Sequence, residues 1–165
     1  MQFRALALVL SSALAGAGSA HAAGSVNVTF INPQQFDDAT DNWRDEHGNL
    51  AEISNHLKML GQKYLADSQS LKIDVLNVDL AGRLQLSRSR GEVRVINGRI
   101  DWPRITLRYA LQDNGQVVQS GEENVSDMAF LWRSAHYVTA PLGYEKRMLD
   151  EWFRDRIVAR HPARD

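Results

Sequence analysis

Residues 104–126 read RITLRYALQDNGQVVQSGEENVS, and this stretch decides the fold. Ile105, Leu107, Tyr109 and Leu111 alternate with Thr106, Arg108 and Ala110, the period of two that buries one strand face and leaves the other in solvent. Asn114-Gly115 tolerates the positive φ that both centres of a type I′ turn need, so the chain is expected to reverse there into a second strand over 116–125. A two-residue turn sets Asp113 opposite Gln116 and Leu107 opposite Glu122, which places Glu122 on the apolar side. There it needs a partner such as an arginine, or the register differs.

Upstream, a second Asn-Gly pair predicts a hairpin of 93–96 with 99–102 across Asn97-Gly98, and Pro103, with no amide donor, marks an edge, a bulge or a break. Leu71, Ile73 and Val75 occupy one strand face and Leu76, Val78 and Leu80 the other, a phase change that predicts a bulge near Val75-Leu76. Val26, Val28 and Phe30 form a first strand, followed by a polar surface loop over 34–49.

Leu50, Ile53, Leu57, Leu60 and Tyr64 recur at steps of three and four, the clearest helix of the chain. Asn49 is its expected cap, with Glu52 closing a capping box. Burying that stripe contributes on the order of 10 kcal/mol before conformational entropy is charged. A short apolar segment, Met128-Ala129-Phe130-Leu131-Trp132, reads as the start of a helix capped by Ser126 or Asp127. The last helix buries Met148, Leu149, Trp152, Phe153 and Ile157, with Lys146–Asp150, Arg147–Glu151 and Asp150–Arg154 as i,i+4 pairs on its exposed face. Strand, helix, strands and helix in that order predict an α+β fold, a single mostly antiparallel sheet with two main helices packed on one face.

The opening residues MQFRALALVLSSALAGAGSAHA carry a basic Arg4, an apolar run and the small-x-small site Ala20-His21-Ala22. They read as a cleaved signal peptide over 1–22, too short in its apolar run for a spanning helix, so the protein is expected to be periplasmic without a transmembrane anchor. No cysteine occurs, which excludes a lipoprotein attachment site, disulfides and thiolate chemistry. Removing 22 of 165 residues leaves 143, the length of a single α+β domain over 23–165. One of the 19 Lys and Arg lies in the leader, leaving 18 against 20 Asp and Glu, and that balance argues against nucleic acid as a partner.

Asp101-Trp102-Pro103-Arg104-Ile105, Leu107-Arg108-Tyr109, Ser120-Gly121-Glu122-Glu123, Ser126-Asp127 and Leu142-Gly143-Tyr144-Glu145-Lys146-Arg147-Met148-Leu149 carry a resemblance. With Val26-Asn27-Val28-Thr29-Phe30 and Val78-Asp79-Leu80-Ala81-Gly82, the chain resembles the secreted bacterial proteins grouped as domain of unknown function 3016. That resemblance spans essentially the whole mature chain and implies no catalytic residue.

Seven arginines, at 83, 88, 90, 94, 99, 104 and 108, lie within 26 residues that hold only Glu92 and Asp101 as acids, a local charge of +5. Arg88, Arg90, Arg94, Arg104 and Arg108 are the candidate ligands for an anion, since guanidinium groups engage phosphate and carboxylate through paired hydrogen bonds. Outside the cytoplasm the expected partner is an envelope component, an anionic lipid or glycan or a protein. The bland alternative is a solvated sheet face, with some arginines paired to acids elsewhere and some discouraging edge-to-edge association.

Asp37, Asp38, Asp41, Asp45 and Glu46 crowd one loop but lack the EF-hand order, and the mature histidines lack zinc spacing, so no metal and no cofactor is expected. No nucleophile elbow or phosphate-cradling glycine loop occurs either. The leading expectation is a non-catalytic binding module for envelope components. The rivals are an enzyme with a site around Glu122, Asp127 and Tyr144, and an accessory subunit docking through residues 128–132.

Overall fold

The computed structural model describes residues 24–39, 46–88, 91–98, 100–132 and 140–159. The segment read as a signal peptide lies outside them, as do Arg90, Asp41 and Asp45.

The fold is α+β. Strand β1 (Ser25–Phe30) is followed by a 3-10 turn, Pro33–Gln35, and helix α1 (Glu46–Tyr64). Then come β2 (Gln69–Asp79), β3 (Arg83–Ser87), β4 (Gly91–Val95), β5 (Arg104–Asp113), β6 (Gln116–Ser126) and helix α2 (Gly143–Trp152), which continues as a π-helical turn, Phe153–Val158. The main sheet runs β1-β2-β5-β6, and β3 and β4 make a separate two-stranded sheet. The main sheet is mostly antiparallel, with β1 running parallel to β2 across the helical crossover that a parallel neighbour requires. One expectation changes here: the strands do not all join one sheet.

Both helices supply apolar side chains to one core on one side of the sheet. Leu50, Ile53, Leu57 and Leu60 of α1 and Met148, Leu149, Trp152, Phe153 and Ile157 of the last helix join Leu71, Ile73, Val75, Ile105, Leu107 and Leu111. Gly61 lets α1 close onto β1, since a Cβ there would stand 2.1 Å from Val26 Cγ2. The helix starts a turn earlier than expected: Asn49 lies inside it, buried, and its amide donates to Ala39 O at 3.1 Å, tying helix to loop instead of capping it.

The β2 bulge sits where the phase change put it, with the register against β5 shifting between Val75 and Asn77. Val78 and Leu80 thereby return to the core after Val75. The Asn114-Gly115 hairpin also forms, with φ of 50° and 78° at the two positions, as a type I′ turn requires.

Asn97-Gly98 does not make the expected hairpin. Residues 91–95 pair instead with 83–87, and the Asp101 carboxylate accepts the N–H groups of Asn97 and Gly98, both at 2.8 Å. A side chain that satisfies two backbone donors competes with a strand ladder, and here it wins. Met128–Trp132 is a turn, not a helix start, with Asp127 Oδ1 accepting Ala129 N–H at 3.0 Å. Phe130 alone of its large side chains is buried, edge-on to Tyr144 at 4.9 Å.

Candidate functional site

The β3–β4 arm leaves the body at Gly82, whose φ of +85° turns the chain out of β2 and whose missing Cβ leaves room for Val95 O. Arg94 fastens the arm down. Its guanidinium donates to both oxygens of Asp38, at 2.8 and 3.0 Å, and to the carbonyls of Ala81 and Gly82, at 3.2 and 3.0 Å. Asp38 is itself fixed, its backbone bridging Val78 O and Leu80 N alongside β2. With its side chain only 12% exposed, Arg94 is a fastener of the arm and does not project from it.

The other candidate arginines scatter. Arg104 pairs with Asp79, Nε donating to Oδ2 at 3.0 Å, and lies over Trp102 at 5.4 Å from the ring centroid. Arg108 reaches Glu122 Oε2 through Nε and Nη2 at 3.1 and 2.8 Å. The two do share the open face of β5, as the alternation required, because Ile105, Leu107 and Tyr109 face the core. Arg108–Glu122 is an exposed pair, a contact contributing about 0–1 kcal/mol. Arg88 is exposed at the turn that closes the arm, and Arg83 is exposed at its base. Among the described residues neither Arg83 nor Arg88 forms an ion pair.

Glu122 does not lie on the apolar side. A register shift between Leu111 and Gln112 leaves Val118 as an extra residue in β6, so Arg108 faces Glu122 and Leu107 faces Glu123. Glu123 is therefore the carboxylate turned toward the helices. It accepts hydrogen bonds from Tyr109 OH at 3.2 Å, Trp152 Nε1 at 3.2 Å and Arg156 Nε at 3.0 Å. Gln119 Nε2 donates to the same Tyr109 oxygen at 2.9 Å. Burial pushes the Tyr109 phenol above its ordinary range; the Gln119 hydrogen bond pulls it back, and the Glu123 charge raises it further.

A pH prediction follows from that shift. Because the folded phenol holds its proton more tightly than the unfolded one, its contribution to stability is complete below about pH 10 and is lost as pH rises through the raised folded value. Tyr109→Phe is expected to lose less stability than the wild type over that alkaline window, measured by urea unfolding at a series of pH values. Equal losses in both proteins would overturn it.

Asp127, Tyr144 and Glu122 do not form one site. Asp127 is buried against α2, where its Oδ2 accepts from Arg147 Nη2 at 2.9 Å, and Arg147 also donates to Phe130 O at 2.6 Å. Glu122 stands on the opposite sheet face. Arg147, expected on the exposed face of α2, is buried, while Asp150 accepts from His56 Nε2 at 2.7 Å and Lys146 reaches Glu52 at 3.4 Å. Glu145, also buried, accepts Ala81 N–H at 2.7 Å and links α2 to the root of the arm.

In the acidic loop, Asp37 pairs with Asn77 and Asp38 with Arg94. Among the described residues no group of three or more His, Cys, Asp or Glu is placed to hold a metal ion, and no helix is long and apolar enough to cross a membrane.

Large apolar side chains are exposed both on the arm and on the turn after β6. Leu86 is 86% exposed on the arm, and Met128 and Trp132 are 67% and 89% exposed on the turn after β6. That turn abuts the base of the arm, where a Cβ on Gly98 would lie 2.2 Å from Leu131 Cδ1. Sequence reading singled out the arginines and missed the Glu123 cluster; the consecutive Val117 and Val118 were the available sign of the bulge that creates it.

A family model described as protein of unknown function (DUF3016) matches residues 24–155. No curated protein and no solved structure matches the chain.

Proposed function

The chain belongs to the DUF3016 family, and we propose that within it this protein is an exported, non-catalytic binding module for anionic envelope components. The contact surface is the β3–β4 arm. One observation carries the reading: the arm presents Arg83 and Arg88 exposed while Arg94 and Asp101 hold its base to the body. A fixed arm with exposed guanidinium groups meets an anion with little ordering cost. The family match begins at residue 24, just past the cleavage site read after Ala22, which supports export to the periplasm.

Retention of residues 23–165 on immobilised lipopolysaccharide tests this. Affinity is expected to fall steeply with salt, by analogy with counterion release from nucleic-acid phosphates. Arg83→Ser with Arg88→Ser is expected to weaken it by about tenfold, whereas Arg108→Ser, on the open sheet face, changes it little. Retention that ignores salt, or that survives the double substitution unchanged, overturns the reading.

A further inference from the structure

We propose that the outer edge of β6 takes up an extended basic peptide as a fifth strand, along a groove walled by the last helix. The site lies apart from the arm and does not depend on it.

Strand β6 ends the order β1-β2-β5-β6, and among the described residues no strand pairs with its outer side. One hydrogen bond shows which of its backbone groups stand open. Asp127 N–H donates to Pro103 O at 3.3 Å, and Ser126 faces Arg104, so residues 127, 125 and 123 turn their backbone groups to β5. Asn124 and Ser126 therefore direct theirs outward, where an added strand pairs.

The groove follows that edge. Its volume is about 420 Å³, and it touches consecutive residues 123–127, whereas a hollow on one sheet face touches alternate residues. The facing wall is the last helix, through Met148, Glu151, Trp152 and Asp155, spaced by three and four on one side. Arg147 meets Asp127 at one end and Arg156 meets Glu123 at the other, so helix and strand run side by side in opposite directions.

Charge selects the occupant. Four carboxylates line the groove, Glu123, Asp127, Glu151 and Asp155, against one guanidinium, Arg156. Asp155 is exposed and, among the described residues, forms no ion pair. Glu151 stands one helical turn before it, about 5.4 Å along the axis, and alternate side chains of a strand are about 6.8 Å apart. Lysines at every second position of an added strand thus reach both carboxylates at once. A second copy pairing through the same residues would instead set Glu123 against Asp127, like charge on like.

The test is fluorescence anisotropy of residues 23–165 with the labelled, end-capped peptide Thr-Lys-Thr-Lys-Thr-Lys-Thr. Binding is expected to be at least about tenfold tighter than to the counterpart with glutamate for lysine. Glu151→Gln with Asp155→Asn, isosteric changes on the groove wall, should weaken it by about tenfold. N-methylation then separates strand pairing from charge. Methylating the amides that face β6, those of Thr in an antiparallel strand or of Lys in a parallel one, should weaken binding at least about tenfold, while methylating the other set leaves it unchanged.

Equal binding by the two methylated peptides refutes strand addition. Unchanged binding by the double variant takes the peptide out of this groove, and equal binding of the lysine and glutamate peptides overturns the basic occupant. A protein that ignores both peptides yet dimerises through β6 gives the edge to a second copy and overturns the proposal.

Discussion

Leu57→Asp is expected to leave no folded protein. Leu57 is fully buried at the middle of the α1 stripe, between the helix and the inner sheet face. Its replacement removes a core side chain, about 2–5 kcal/mol, and places a carboxylate where it has neither water nor a cation, a further cost of several kcal/mol. Native domains of this size hold roughly 5–15 kcal/mol in total, so the sum removes most or all of it. Far-ultraviolet circular dichroism through a thermal ramp checks this. A cooperative transition in the variant would sink the argument, and Leu57→Met, which nearly conserves volume, should stay within about 1.5 kcal/mol of wild type.

The second large effect is expected at Asp127, through a different mechanism. Asp127 and Arg147 form a buried pair at 2.9 Å, their side chains only 7% and 10% exposed. Removing one partner of such a pair costs about 3–5 kcal/mol, since the remaining charge keeps its burial and loses its counter-charge. Asp127→Ala should therefore destabilise by that amount in urea unfolding. It also removes the acceptor of Ala129 N–H, so the turn under Trp132 loosens with it. Asp127→Ala combined with Arg147→Met should recover most of the loss, because neither charge of the pair remains. If the double variant is no more stable than the single one, the pair is not the source of the cost.

Where the sequence was legible, apolar contrast made it so. In β2 the switch from Leu71, Ile73 and Val75 to Val78 and Leu80 announced the bulge, since both phases had to reach one core. The bulge in β6 announced itself far less. That strand is at the sheet edge and polar over most of its length, so a slip of one residue moves no hydrophobic row into water. Glu122 and Glu123 consequently exchanged faces between expectation and structure.

The arginine cluster failed as a single site for a related reason. Closeness in sequence said nothing of the partners, Glu122, Asp79 and Asp38, which lie 14, 25 and 56 positions from Arg108, Arg104 and Arg94. Likewise Asp101 looked like one of two acids diluting a basic stretch, yet it sets the turn that releases the arm. Side chains that satisfy backbone donors leave no periodic trace.

The parallel pairing of β1 has a consequence for the order of assembly. Ser25 pairs with Ser70, whereas Asp113 pairs with Gln116 across a two-residue turn. Chain closure costs more entropy the longer the span it joins, and a parallel strand has no local turn to begin from. Of the four strands in the main sheet, the one the ribosome makes first is thus the one whose place in the sheet carries the highest entry cost.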